Sequence, residues 1–374
     1  MKNKECCKKK ASIGGQALIE GIMMRGPKRT AMAVRNPEGE IVLEEWKTDL
    51  ASAPAFFKLP VARGVYNFVS SMIVGYKCLM RSAEIAGIEE AEEEAKREKQ
   101  KKKQAKLAKK KGLDIPPTPE AEEKSPVTEE AQEKKEKKES SALMTGVMVV
   151  ATILGVALSI FLFIMLPTAL FDLLSRFLPF LTPDHPALAS LVKSIFEGLL
   201  KILILVCYMA LVTLMKDIRR TFQYHGAEHK TIFCYEKGLD LTVENVRLQR
   251  RFHPRCGTSF LILMLLVSIF ISFFIDPLFI LLTGGVPHTM IRVAVKLLLL
   301  PITMGIGYEM IRFAGKHDNI VTRIISAPGM WLQHVTVLEP TDDMIECALT
   351  AFCRVIPEND PPEEEAPSEN SLEA

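Results

Sequence analysis

The stretch from residue 140 to 171 contains no charged side chain. A helix needs ~20 apolar residues to cross the hydrocarbon core of a bilayer, and an open chain in lipid can satisfy its backbone only as a helix. This stretch is long enough to do so. Three later segments repeat the pattern. They run over residues 198–215 with Lys201 at the start, over 257–275 up to Asp276-Pro277, and over 293–311. The last is the weakest, because it holds Lys296, Pro301, Gly305 and Gly307. Proline and glycine are tolerated in a span where neighbouring helices satisfy the backbone. The sequence therefore predicts four transmembrane helices.

Bulk composition hides this organisation. The chain is 48% hydrophobic and 25% charged with a formal net charge of +2, but the two residue kinds are segregated. Between the first two spans only Arg176 precedes Pro186, whereas residues 216–256 carry Lys216, Arg219, Arg220, Lys230, Lys237, Arg247, Arg250, Arg251 and Arg255. The positive-inside rule places that basic loop in the cytoplasm, and four spans then put both termini there as well. Residues 1–10 are basic without a following apolar core, so no secretory signal is expected. The eight cysteines show no framework spacing, which points to a reducing compartment without disulfides. Cys6-Cys7 reads as an exposed reduced pair, with acylation or metal binding as the alternative.

Residues 11–87 are expected to form a small α+β element. Residues 31–35 and 40–46 flank Asn36-Pro37-Glu38-Gly39, a turn signal for a hairpin. Upstream, Gly14-Gly15-Gln16-Ala17-Leu18-Ile19-Glu20-Gly21-Ile22-Met23-Met24-Arg25-Gly26 has glycines that imply close backbone approach, but not a Walker loop. Glu20 and Arg25 are either site residues, or a local ion pair or solvated side chains. Residues 61–83 form an amphipathic helix that packs on this element or lies on the bilayer surface. Residues 88–141 are a charged linker and 357–374 an acidic tail, both too poor in apolar residues to offset their ordering entropy. Acidic blocks alternate with basic ones and no aromatic interleaves, which argues against nucleic-acid binding. Between them, residues 142–356 hold the spans, the loop 216–256 and short amphipathic helices framed by 327–333 and 339–343.

The chemistry concentrates in that loop. His225-Gly226-Ala227-Glu228-His229 puts two imidazoles on one helix face in the H-x-x-E-H order of the inverted zincins. His253-Pro254-Arg255-Cys256-Gly257 closes the loop at the next span. His225 is ten residues past residue 215, ~15 Å if helical, so the two clusters can meet at the membrane rim. His225 and His229 are then two ligands for a divalent metal, zinc by preference, with His253 or Cys256 as the third. Glu309 and Glu244 are outer candidates. Glu228 is the general base, and Arg255 binds an anionic substrate group or an oxyanion. A structural metal, or imidazoles hydrogen-bonded at a packed helix end without metal, are the competing readings. Small residues at 226–227 would let another element approach. Lys193, Glu197 and Lys201, with Asp276, Arg292 and Lys296, read as an ion-paired outer rim rather than an ion pathway.

These motifs resemble the YqhQ-like family of uncharacterised bacterial membrane proteins, some of which carry the label "predicted metal-dependent enzyme". The resemblance rests on residues 14–25 (GGQALIEGIMMR), 225–231 (HGAEHKT), 253–260 (HPRCGTSF), Tyr308-Glu309 and 328–333 (PGMWLQ). It covers most of the chain outside the linker and the termini. The expectation is a mainly α, polytopic protein of the bacterial inner membrane with a cytoplasmic-face metal site. Its partners are membrane lipids and a membrane-proximal substrate, and homo-oligomerisation is left open. A metal-dependent hydrolase is the first reading. An assembly or scaffolding factor with a structural metal or none is the second, and a small transporter using the charged rim is the third.

Overall fold

The computed structural model describes residues 13–48, 57, 59–87, 150–254, 256–285, 288–317 and 319–357. The linker, the acidic tail beyond residue 357 and Cys6-Cys7 fall outside the described residues. The chain forms two compact units, one of Met1–Glu89 with Leu205–Ala374 and one of Glu90–Ile204. The fold is mainly helical with one small antiparallel sheet.

Strands β1 (Gly14–Leu18), β2 (Gly21–Arg25), β3 (Arg29–Arg35) and β4 (Ile41–Lys47) pair in sequence order. The expected hairpin closes β3 onto β4 with Arg35 opposite Ile41. Its turn is held by the Asn36 side chain, which accepts from the Glu40 N–H at 2.7 Å, and by Gly39 at φ +90°. The glycine-rich segment upstream is itself a hairpin, turning at Glu20 with φ +50°. Gly21 must lack a side chain, because a Cβ there would lie 2.4 Å from the Ala33 carbonyl oxygen.

Successive strand residues point to opposite faces, and here both faces are covered. Leu18, Met23, Met32 and Val34 pack towards α1 (Ala62–Ile85), joined by Cys78. Ile22, Met24, Ala31 and Ala33 pack towards α4 (Lys216–Glu236) and α10 (Asp342–Val355). That second core takes Tyr224 and Ala227 from α4, and Ile345, Ala348 and Phe352 from α10. Each large apolar side chain buried this way contributes about 1.5–3 kcal/mol. Two buried faces explain why Met23-Met24 are both apolar instead of alternating with polar residues. Cys347 lies in this core, donating to the Ala33 carbonyl at 3.2 Å, and burial pushes its thiol up to about 12.

The amphipathic helix α1 packs on the sheet, as one of the two expectations had it, and also on α8 (Leu300–Lys316). Ser82 accepts from the Ile19 N–H at 3.3 Å at the hairpin turn. At the other end Val61 adopts φ +69°, a costly conformation for a β-branched residue. It sits where a Cβ on Gly305 would approach its carbonyl oxygen to 2.6 Å. Arg63 donates to Glu309 at 2.6 Å and Asn67 to the Tyr308 hydroxyl at 2.8 Å. The opposite stripe of α1, with Val69, Met72, Ile73 and Tyr76, is exposed.

Among the described residues three helices are long and apolar enough to cross a membrane: α2 (Val150–Leu174), the Leu188–Val212 part of α3 (Pro186–Val212), and α6 (Gly257–Thr283). A fourth candidate is present if α7 (Thr289–Leu298) and α8 count as one, bent by 44°. The boundaries differ from expectation at the prolines. Asp276-Pro277 does not end α6, which runs on until Gly284 closes it in the left-handed region at φ +75°. Pro301 does break the fourth apolar segment: it lies in the first turn of α8, where its missing N–H costs nothing, and the helix before it is capped by Leu299. In α2, a π-turn at Phe161–Met165 precedes Pro167 and absorbs its missing donor. Pro328 lies inside α9 (Ile320–Thr336), so residues 327–333 belong to a helix rather than framing one.

Within the second unit the expected charged rim is paired. Thr168 donates to Glu197 at 2.9 Å, Lys201 sits 3.9 Å from Glu197, and Lys193 bonds Asp172 at 2.7 Å. Glu197 and Lys201 lie inside one continuous α3 rather than at a span end. The side chain of Asp276 lies outside the described residues.

The contact at Gly305 has a direct test. Gly305→Ala should destabilise the purified protein by about 1–3 kcal/mol, as overpacking against backbone does. Thermal unfolding in detergent would read this; an unchanged midpoint would mean that α1 does not dock on α8 there.

Candidate metal centre

The His-Gly-Ala-Glu-His run lies in the middle of α4, not at its end. Asp217 in the first turn favours the helix N-terminus, and the helix is buried at Tyr224, at 226–232 and at Cys234. Gly226 and Ala227 admit another element, as their size implied. A Cβ on Gly226 would lie 2.0 Å from the Leu338 carbonyl oxygen, and the Leu338 N–H donates to Phe222 at 3.0 Å. The strap that follows α9 therefore crosses α4 at its smallest residue. Lys230, buried on the same helix, donates to the Arg247 carbonyl at 2.8 Å and pairs with Glu339.

His225, His229 and Cys256 come together, with one ligand atom from each inside a mutual distance of 4.8 Å. His225 Nε2 lies 3.0 Å from Cys256 Sγ. His225 Nδ1 bonds the Thr336 carbonyl at 3.0 Å, and His229 Nδ1 bonds the Arg251 carbonyl at 2.5 Å. A carbonyl oxygen only accepts, so in the neutral imidazoles both protons sit on Nδ1, and each Nε2 keeps a lone pair that can accept from the Cys256 thiol or bind a metal. Burial also holds His229 below its usual range, which keeps that ring neutral. Cys256 caps α6 and accepts from the Thr258 N–H at 3.4 Å. The N-terminal end of a helix favours negative charge, which suits a thiolate ligand. Two imidazole nitrogens and one sulfur form a group that could hold a metal ion, with one position of a tetrahedron left over.

Glu228 faces the sheet. Its Oε1 accepts from the Gly15 N–H at 2.9 Å, and Oε2 makes no hydrogen bond among the described residues. A Cβ on Gly15 would lie 2.8 Å from the Glu228 carboxyl carbon, so the glycine makes room for the acid. Burial pushes the Glu228 carboxyl above the usual carboxylate range, against the pull of His225 and the Gly15 N–H.

The other candidates stand elsewhere. His253 is buried near the group, with its ring 5.6 Å from that of His229, but its Nε2 lies 3.7 Å from Glu236 rather than beside Cys256. Of the two proposed third ligands the structure therefore brings Cys256 into the group. Arg255 lies outside the described residues. Glu309 is engaged by Arg63, and Glu244 is exposed on α5 (Val243–Arg247). Glu20 pairs with Arg220 of α4, not with Arg25.

Sequence reasoning missed Gln333. It accepts from the His253 N–H at 2.8 Å, donates to the His253 carbonyl at 2.7 Å, and donates to Ser259 at 3.0 Å. These bonds fix the segment that delivers Cys256. Its place in the PGMWLQ motif was the available signal. Gln333→Leu would strand buried backbone groups and should cost about 1–3 kcal/mol of stability in a detergent melt. An unaltered melt would show that the segment is held by other contacts.

Comparison with known proteins agrees with this reading of the motifs. The chain is 29% identical over 347 residues to "Uncharacterized protein YqhQ" of Bacillus subtilis (strain 168), covering 91% of each chain. No solved structure matches it. Residues 59–358 match the family described as "Protein of unknown function (DUF1385)", a match that starts after the sheet and contains all three members of the ligand group. The chain belongs to this DUF1385 family, as its YqhQ-like motifs implied.

Proposed function

We propose that this chain is a multi-pass protein of the bacterial inner membrane that binds a divalent metal through His225, His229 and Cys256. Zinc is the metal we favour, since mixed nitrogen and thiolate ligands suit it. The observation that carries the reading is the pair of Nδ1–carbonyl bonds. Metal-ligating histidines commonly spend the second nitrogen in this way, which orients the ring and fixes the tautomer. The basic loop 216–256 supports a cytoplasmic-side centre, with both termini on that side, by the positive-inside rule.

We further propose that the centre hydrolyses a membrane-proximal substrate. A bound zinc would supply Lewis acidity at a site left open by three protein ligands. Glu228 is the general base in this reading: one carboxylate oxygen is anchored by Gly15 and the other is free to take a proton. Arg255, adjacent in sequence to Cys256, would hold an anionic part of the substrate. One observation favours a second reading, a scaffolding or assembly factor with a structural metal: His229 and Cys256 are only 1% and 5% exposed, and Glu228 is tied to a strand.

Metal analysis of detergent-purified protein should find about one zinc or similar ion per chain. His225→Ala should lose it; metal retained in that variant removes His225 from the site. Glu228→Gln should keep the metal and fail to complement a deletion strain. Full complementation by Glu228→Gln would leave the metal structural and support the scaffolding reading.

A further inference from the structure

The segment that gives the sheet its first hairpin also lines a cavity of about 540 Å³, on the face opposite Glu228. Strand alternation makes the separation. Gly15 looks towards α4, whereas Gln16 looks towards α1, where its amide lies against Gly75. The cavity opens between β1, β2 and α1, and Arg25 is the one charged residue lining it among the described residues. Arg25 is half-buried, and among the described residues no acid lines the cavity with it. Among the described residues the side chains of Arg25, Gln16 and Ser71 make no hydrogen bond or ion pair, though all three line the same cavity. The remaining walls include Met23, Pro27 and Val74.

We infer that this cavity binds an organic molecule through a phosphate group. A half-buried guanidinium without an acid has strong donors unused, and its planar fork matches an oxyanion. A carboxylate has two oxygens, and the fork alone would occupy both. A phosphate monoester keeps a further oxygen for the Gln16 amide and the Ser71 hydroxyl. The volume falls in the range of small-molecule sites, about 300–1,000 Å³, and exceeds what inorganic phosphate fills. The apolar walls suit the organic part. Gly14 leaves the cavity mouth clear, since a Cβ there would meet nothing within 4 Å. The site does not depend on the metal centre.

Calorimetric titration of the full-length protein in detergent tests this with three probes: inorganic phosphate, glycerol 3-phosphate and dihexanoyl phosphatidic acid. Binding of either ester is expected. Preference for the phosphatidic acid would identify a lipid headgroup as the source, and preference for glycerol 3-phosphate a soluble ester. Arg25→Gln should weaken binding roughly tenfold or more, as loss of a charge-assisted pair does. Gly14→Leu should fill the mouth and block binding without disturbing the fold, which guards against a folding defect in the arginine variant. His225→Ala should bind the ester as the parent does, so a failed metal reading would leave this result intact. No binding of any probe, binding of inorganic phosphate alone, or undiminished binding in both Arg25→Gln and Gly14→Leu would overturn the proposal.

Discussion

Two hydrogen bonds from imidazole to backbone carbonyl organise the centre of this protein. His225 reaches Thr336 at the end of α9, and His229 reaches Arg251 in the loop before α6. Each bond joins α4 to a segment distant in sequence, and each fixes which ring nitrogen carries the proton. The thiol of Cys256 then meets the free Nε2 of His225 because α6 starts at the next residue. Remove those carbonyls and the rings could rotate or change tautomer, and three potential ligands would no longer be a group.

The cost of this arrangement is visible in α4. Glu228, His229, Lys230 and Thr231 are consecutive and all buried. A buried polar group without a partner costs about 1–3 kcal/mol, and a charged one more. Each of the four has a partner: Gly15 N–H, Arg251 carbonyl, Arg247 carbonyl with Glu339, and Ala227 carbonyl. Those partners come from the sheet, the loop before α6, the end of α5, the strap after α9 and the helix itself. The sheet and α10 supply the apolar burial that offsets this polar seam. The N-terminal hairpin and the C-terminal helix are thus both parts of the structure around the ligand group.

Legibility from sequence followed sequence distance. The turn at Asn36–Gly39 could be read because a four-residue signal decides it. The long apolar helices could be read because length and lack of charge leave few alternatives. Their ends could not, since Pro277 is carried inside α6 while Pro301 sits in the first turn of α8, where a helix break already leaves its N–H without an intrahelical partner. At the ligand group, the pairing of His225 with His229 was local and legible. The choice of Cys256 over His253 was not. These residues are three apart, and Gln333, some eighty positions later, turns the segment so that the sulfur faces the rings. Gly15 was flagged as a close-approach glycine, but nothing local named Glu228 as the group approaching it.

The amino-acid order by itself determined which segments are long and apolar, which are densely charged, and which few side chains carry imidazole or thiol groups able to bind a metal. Those properties belong to single residues and short windows, so no partner is needed to express them. Tertiary structure decided the tautomers of the two histidines, the placing of Cys256 beside the His225 ring, the sheet-facing direction of Glu228 and the separation of the Arg25 cavity from the ligand group. Each of these depends on which distant backbone atom or sheet face a side chain meets, and only the folded chain brings those atoms within hydrogen-bonding reach.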